Sequence, residues 1–242
     1  MRHTMSLAFL LGMAGIALMS CSSTRMVTGP QQALGNGKVW SWVEYDNSGK
    51  PVKLGVTMTR AALSNLSGSY QEIEAPLPDT LSTPPYHTVV VCWDPLGHAP
   101  AAYSVPHFDF QFFFVRSSVL GAITPGSDTL PVPARFRPPD YFAALREPSV
   151  GTHWGDTTAP EFHGKPFTAT FVYGYQNGEM IFVEPMVAFS FLNREPSFSG
   201  IVKQPAAFNR PGSYPARYSV EYNRRDSTVT VALEGLTLIR PQ

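Results

Sequence analysis

One stretch constrains this chain more than any other: His107-Phe108-Asp109-Phe110-Gln111-Phe112-Phe113-Phe114. Successive side chains on a β-strand point to opposite faces. Phe108, Phe110, Phe112 and Phe114 then share one face, and His107, Asp109, Gln111 and Phe113 share the other. Four adjacent rings left in water would make a large apolar patch, so that face belongs in a core. Burying them is worth about 1.5–3 kcal/mol each. The chain must therefore supply a second layer to cover the phenyl face. A strand facing bulk solvent more usually carries Thr, Lys or Glu. An imidazole, a carboxylate and an amide in a row suit hydrogen bonding or metal ligation inside a pocket.

The rest of the chain suits short strands. It carries 23 Pro and 19 Gly in 242 residues, with many Phe and Tyr. That mix favours short β segments and frequent turns over long helices. Strands are predicted at 39–45, 52–58, 86–93, 105–115, 167–173, 180–191, 218–222, 227–233 and 236–239. Asn177-Gly178 joins two of them as a hairpin turn, and Asp46 to Lys50 joins two others. Short helices are predicted at Thr59–Leu66, with Thr59 as N-cap, and at Pro139–Arg146, with Pro near its start. Residues 117–166 otherwise read as a long irregular stretch, a kind of segment that is often functional. The expected fold is mainly β: a single antiparallel β-barrel or sandwich-like domain with two short helices. No internal repeat and no second-domain boundary stand out.

The N-terminus reads as an address. Arg2 and His3 precede an apolar run from Leu7 to Met19, followed by Leu18-Met19-Ser20-Cys21. A basic start, a short apolar run and a small residue before the cut make a secretory signal. The run is short of the roughly 20 residues a transmembrane helix needs. A Cys directly after the cut resembles the lipobox of bacterial lipoproteins. The resemblance implies removal of residues 1–20 and acylation (palmitate included) of Cys21. Ser22 rather than Asp then favours the outer membrane, with the domain facing the periplasm. Residues 21–37 read as a flexible tether and 38–242 as the β-rich domain.

Charge excludes one partner class. Lys and Arg balance Asp and Glu at 18 each, with no basic cluster. Nucleic acid is therefore not an expected partner. With Cys21 acylated, Cys92 is alone in an apolar strand, and no disulfide framework is available. It reads as a core thiol.

The candidate site gathers around the His-x-Asp-x-Gln row. His98 lies in a turn ahead of it, in Leu96-Gly97-His98-Ala99-Pro100. His153 lies in Gly151-Thr152-His153-Trp154, and His163 in a polar loop. Glu184 sits inside an apolar strand, where a charge is costly unless paired. The candidate metal or ligand pocket is His98, His107, Asp109, Gln111, His153, His163 and Glu184. Imidazoles and carboxylates with open positions hold Zn, Fe or Mn. The histidine spacings match no compact metal signature. There is also no Gly-x-Ser-x-Gly, phosphate loop, dinucleotide fingerprint or His-Glu-x-x-His.

In order along the chain stand Gly97-His98 with Pro100, Pro106-His107-Phe108-Asp109-Phe110-Gln111-Phe112-Phe113, Gly151-x-His153-Trp154, Phe167-Thr168-x-Thr170-Phe171, and Phe182-x-Glu184-Pro185-Met186. Over roughly residues 38–192 this set resembles a bacterial family of exported proteins of unknown function. The founding structure of that family is a sigma-E-controlled, ring-forming protein from a thermophile. The resemblance implies a compact β-rich domain that self-associates as a homo-oligomer; it implies no activity. Gln111 departs from the family pattern, which has His there. The row also resembles the cupin His-x-His motif, but the later cupin positions are not met. The expected function is an envelope lipoprotein, held to the membrane by its lipid anchor, with a His-lined pocket in a binding or structural role. The alternative is a metal-dependent, hydrolase-like envelope enzyme with Glu184 or Asp109 as general base.

Overall fold

The computed structural model describes residues 24–78, 83–124 and 126–240. The segment read as a signal, the expected cut and Cys21 lie outside the described residues. In chain order the strands are β1 Arg25–Thr28, β2 Gln32–Leu34, β3 Gly37–Tyr45, β4 Pro51–Thr59, β5 Gln71–Glu74, β6 Thr88–Asp94, β7 His107–Phe113 and β8 Tyr141–Glu147. They continue with β9 Gly151–Asp156, β10 Ala169–Gln176, β11 Glu179–Ala188, β12 Ser197–Ile201, β13 Gly212–Tyr214, β14 Arg217–Asn223, β15 Thr228–Glu234 and β16 Thr237–Ile239. Two one-turn helices, α1 Ser117–Leu120 and α2 Phe189–Leu192, join them.

Fourteen of the strands form two antiparallel sheets packed as a sandwich, β13 and β16 pair as a separate two-stranded sheet, and no barrel closes among the described residues. The first sheet runs β1-β3-β4-β15-β14-β12, with β2 also on β3; the second runs β5-β6-β7-β11-β10-β9-β8. The phenyl face of β7 fills the space between them. Phe108, Phe110, Phe112 and Phe114 share one cluster with Val39, Val43, Leu54, Val56, Val229 and Val231 of the first sheet. The expected mainly β architecture is therefore met, and it is the sandwich.

Three local expectations are corrected. Residues 139–146 are not a helix: β8 pairs with β9, Tyr141 opposite Asp156. Tyr141 is buried and gives its hydroxyl to the Phe171 carbonyl at 3.0 Å. An aromatic that packs into a sheet overrides weak local helix preference. The irregular stretch 117–166 accordingly contains the β8–β9 hairpin. At 59–66 only the 3-10 turn Arg60–Leu63 forms; the Thr59 hydroxyl accepts the Lys38 N–H at 3.1 Å and caps nothing. Finally, the described part of the segment read as a tether joins the first sheet: Met26 and Thr28 of β1 stand opposite Glu44 and Trp42 of β3, and β2 also pairs with β3.

The Asn177–Gly178 turn is as expected, both residues having positive φ. Pro185 is unusual, because β11 lies at the centre of the second sheet, where Pro is rare. β11 pairs with β7 through Phe182 and Val183, then resumes at Met186, skipping Glu184 and Pro185. The ladder is interrupted at Phe110 and Gln111 of β7, and Asp109 pairs with Met186 where it resumes.

Candidate metal centre

The polar face of β7 looks away from the sandwich core, yet it is not in water. His107, Asp109 and Gln111 are all buried. A second apolar layer covers it. Tyr103, Phe167, Val172, Met186 and Ala188 form one cluster over this face; Phe113, Leu120, Ile123, Val150, Ile181 and Phe182 form another. Tyr103, Phe167, Leu120, Ile123 and Val150 come from loops and one-turn helices, and the others from β7, β10 and β11 themselves.

Local sequence places each histidine. Asp94, the last residue of β6, accepts the N–H groups of Leu96 and Gly97 at 3.0 and 2.8 Å. This carboxylate-held turn needs Gly97, whose φ is +69° and whose absent Cβ would lie 2.2 Å from the Tyr103 carbonyl oxygen. The turn brings His98 back over β7, with its ring centroid 4.8 Å from that of His107.

His98, His107 and Asp109 converge: one ligand atom from each lies within 4.8 Å of the others, the one such group of three among the described residues. A backbone carbonyl can only accept, so the ring contacts fix the tautomers. His98 gives its Nδ1 proton to the Ala99 carbonyl at 2.8 Å, and His107 gives its own to the Val105 carbonyl at 2.7 Å. Both Nε2 atoms then face Asp109, from His107 at 3.2 Å and from His98 at 3.8 Å. The His107–Asp109 contact is close enough for an ion pair but misaligned for a hydrogen bond, leaving His107 Nε2 and Asp109 Oδ1 without one. A lone pair facing a carboxylate is repulsive. Only a proton on the nitrogen or a cation between the two makes the contact favourable. Metal-ligating histidines almost always donate the other ring N–H to a carbonyl or carboxylate in this way. The group can hold a metal ion.

Without a cation, protons fill the role. Burial pushes the His98 pKa down, but the facing Asp109 carboxylate outweighs it and raises the value to about 9. His107 is raised for the same reason. Burial would raise the Asp109 carboxyl, yet the two imidazoles hold it well below the usual carboxylate range.

A second pair lies alongside. His153 on β9 stands opposite Gly174 on β10, and the Phe182 ring of β11 occupies the space over that glycine, its centroid 5.0 Å from that of the imidazole. A Cβ at Gly174 would lie 1.8 Å from the Phe182 ring. His153 Nε2 reaches Glu184 Oε2 at 3.3 Å and Glu147 Oε2 at 3.8 Å. Glu184 is completely buried, and neither of its oxygens has a hydrogen bond. The ring centroids of His153 and His98 are 6.4 Å apart.

Of the seven residues expected at the site, three therefore form one group and two form the adjacent pair. Gln111 turns to the other side: its Oε1 accepts the Cys92 thiol at 3.7 Å, and it lines a cavity of about 330 Å³ with Glu72, Glu74 and Ser117. His163 is apart from the group, exposed, with Nε2 on the Thr157 carbonyl at 3.0 Å. Glu147 was missed, since nothing in its sequence neighbourhood marks it; only the β8–β9 pairing brings it to His153. A larger groove of about 1010 Å³ lies on the outer face of the first sheet near Trp40, Trp42 and Tyr222, but it holds no histidine and no buried carboxylate. Comparison with protein-family models, with curated proteins and with solved structures finds no match for this chain.

Proposed function

We propose that this protein is a divalent-metal-binding lipoprotein of the cell envelope, with His98, His107 and Asp109 as the ligands. The observation that carries this reading is the tautomer arrangement. Two imidazoles are each anchored through Nδ1 to a backbone carbonyl, and both present Nε2 to one buried carboxylate. Two nitrogens and one carboxylate with remaining positions open suit Zn, Fe or Mn. The ligands sit on a strand and on a tight turn, under an apolar roof that keeps the local dielectric low. Such a centre binds a small ligand at its open positions. The signal-like start and Cys21 support export and anchoring by acyl chains. Exposed Met26 and Ile201, on the terminal strands of the first sheet, favour edge contacts between copies.

The test is direct. The purified chain is stripped with chelator, dialysed against Zn²⁺, Fe²⁺ or Mn²⁺ in turn, and assayed for bound metal. The reading expects stoichiometric retention of one of these, with His107→Ala removing that ion and His163→Ala leaving it. No retention of any of the three, or equal retention by His107→Ala, would overturn it.

A further inference from the structure

We infer that the His153–Glu184 pair, together with Glu147, is a second divalent-cation site, adjacent to the first. The argument starts from the number of acceptors on one nitrogen. Glu184 at 3.3 Å and Glu147 at 3.8 Å both approach His153 Nε2. One proton on that nitrogen can be shared well with only one carboxylate. A divalent ion takes the nitrogen and both carboxylates at once, because its coordination sphere has room for four or more donors.

A second observation points the same way. Glu184 is a carboxylate with no exposed surface, and neither oxygen makes a hydrogen bond. Buried charges are hydrogen-bonded, paired or bound to metal. The single misaligned imidazole beside Glu184 does not satisfy four lone-pair positions. The other ring nitrogen of His153 is also buried without a protein partner. Unlike His98 and His107, this ring gives no Nδ1 proton to a backbone carbonyl. The three donors converge less tightly than the first group, and Glu147, about a third exposed, has the freedom to close the gap.

Charge supports two ions over one. Two divalent cations bring four positive charges, and Asp109, Glu184 and Glu147 bring three negative ones. A single hydroxide between the ions would make the cluster neutral. The 6.4 Å between the His98 and His153 rings is compatible with ions that share a ligand, as two-metal centres do. Only this balance rests on the first site; the contacts of His153 stand without it.

The experiment counts ions. The full-length chain is loaded with Mn²⁺ by equilibrium dialysis, and bound metal per chain is measured together with the electron paramagnetic resonance spectrum. The inference expects two ions per chain and a spectrum broadened by a neighbouring ion. Glu184→Gln and His153→Ala should each leave one ion, with the spectrum of an isolated centre. One ion in the parent chain, lost on His107→Ala and kept in Glu184→Gln, would overturn the second site and leave the first standing. No bound ion under any loading would overturn both. The spectrum of the parent chain decides the matter even where a variant fails to fold: an isolated-ion spectrum at full loading is a negative result.

Discussion

Replacing Asp109 with Asn should destabilise the metal-free protein in a pH-dependent way. Asp109 is nearly inaccessible and faces both His107 and His98. Against the burial that lowers it, Asp109 raises the His98 pKa from 6.5 to about 9. A raised folded-state pKa means that the folded chain holds the proton more tightly than the unfolded chain does. This stabilisation is whole below pH 6.5, declines as pH rises, and is lost above pH 9. By proton linkage, the His98 shift alone is worth about 3 kcal/mol at pH 6, about 2–3 kcal/mol at pH 7 and close to nothing at pH 10. For a chain of this size, 1 kcal/mol moves Tm by about 2–4 °C. Chelator-treated Asp109→Asn should therefore melt about 5–10 °C below the parent at pH 6–7. The gap should close or reverse above pH 9, where the parent keeps a buried carboxylate with neutral imidazoles around it. Melting curves by circular dichroism at pH 6, 7, 8, 9 and 10 measure this. A gap that is constant across the range, or that widens with pH, would refute the reasoning.

Further outcomes follow from the packing. Gly174→Ala places a methyl group inside the Phe182 ring's space; it should cost about 1–3 kcal/mol in urea unfolding, and an unchanged midpoint would contradict the close approach. Phe110→Ala removes a fully buried ring from between the sheets and should cost about 3–5 kcal/mol, with a loss under 1 kcal/mol contradicting the assigned core face. Cys92 is buried, and burial pushes its thiol pKa well up. It should resist iodoacetamide at pH 8 in the native protein and react once the chain is unfolded in urea; rapid native labelling would contradict its placement.

The sequence is explicit about β7. Strict alternation of Phe with His, Asp and Gln assigns both faces of that strand, and the Asn-Gly turn and β-branched runs place most of the others. It says less about β8, because Pro139-Asp140 and the run Ala143-Ala144-Leu145-Arg146 look helical until Tyr141 finds the Phe171 carbonyl. The convergence of His98 with His107 and Asp109 depends on one Asp94-held turn, whose direction no spacing rule encodes. His153 meets Glu184 only because the sheet order sets β9 and β11 on either side of β10, a pairing that no local pattern announces. Glu147 is invisible for the same reason: strand order, not local pattern, brings it to the site. Gln111 shares a strand face with Asp109 yet belongs to the neighbouring cavity, so a shared face did not ensure a shared site.

The most direct test of the central claim is a crystal of this protein soaked in Zn²⁺ and measured at the zinc absorption edge. The account predicts an anomalous peak about 2.0–2.2 Å from His98 Nε2, His107 Nε2 and one Asp109 oxygen. Anomalous density only at exposed groups such as His163, with the two imidazoles still closed on an unoccupied Asp109, would contradict it.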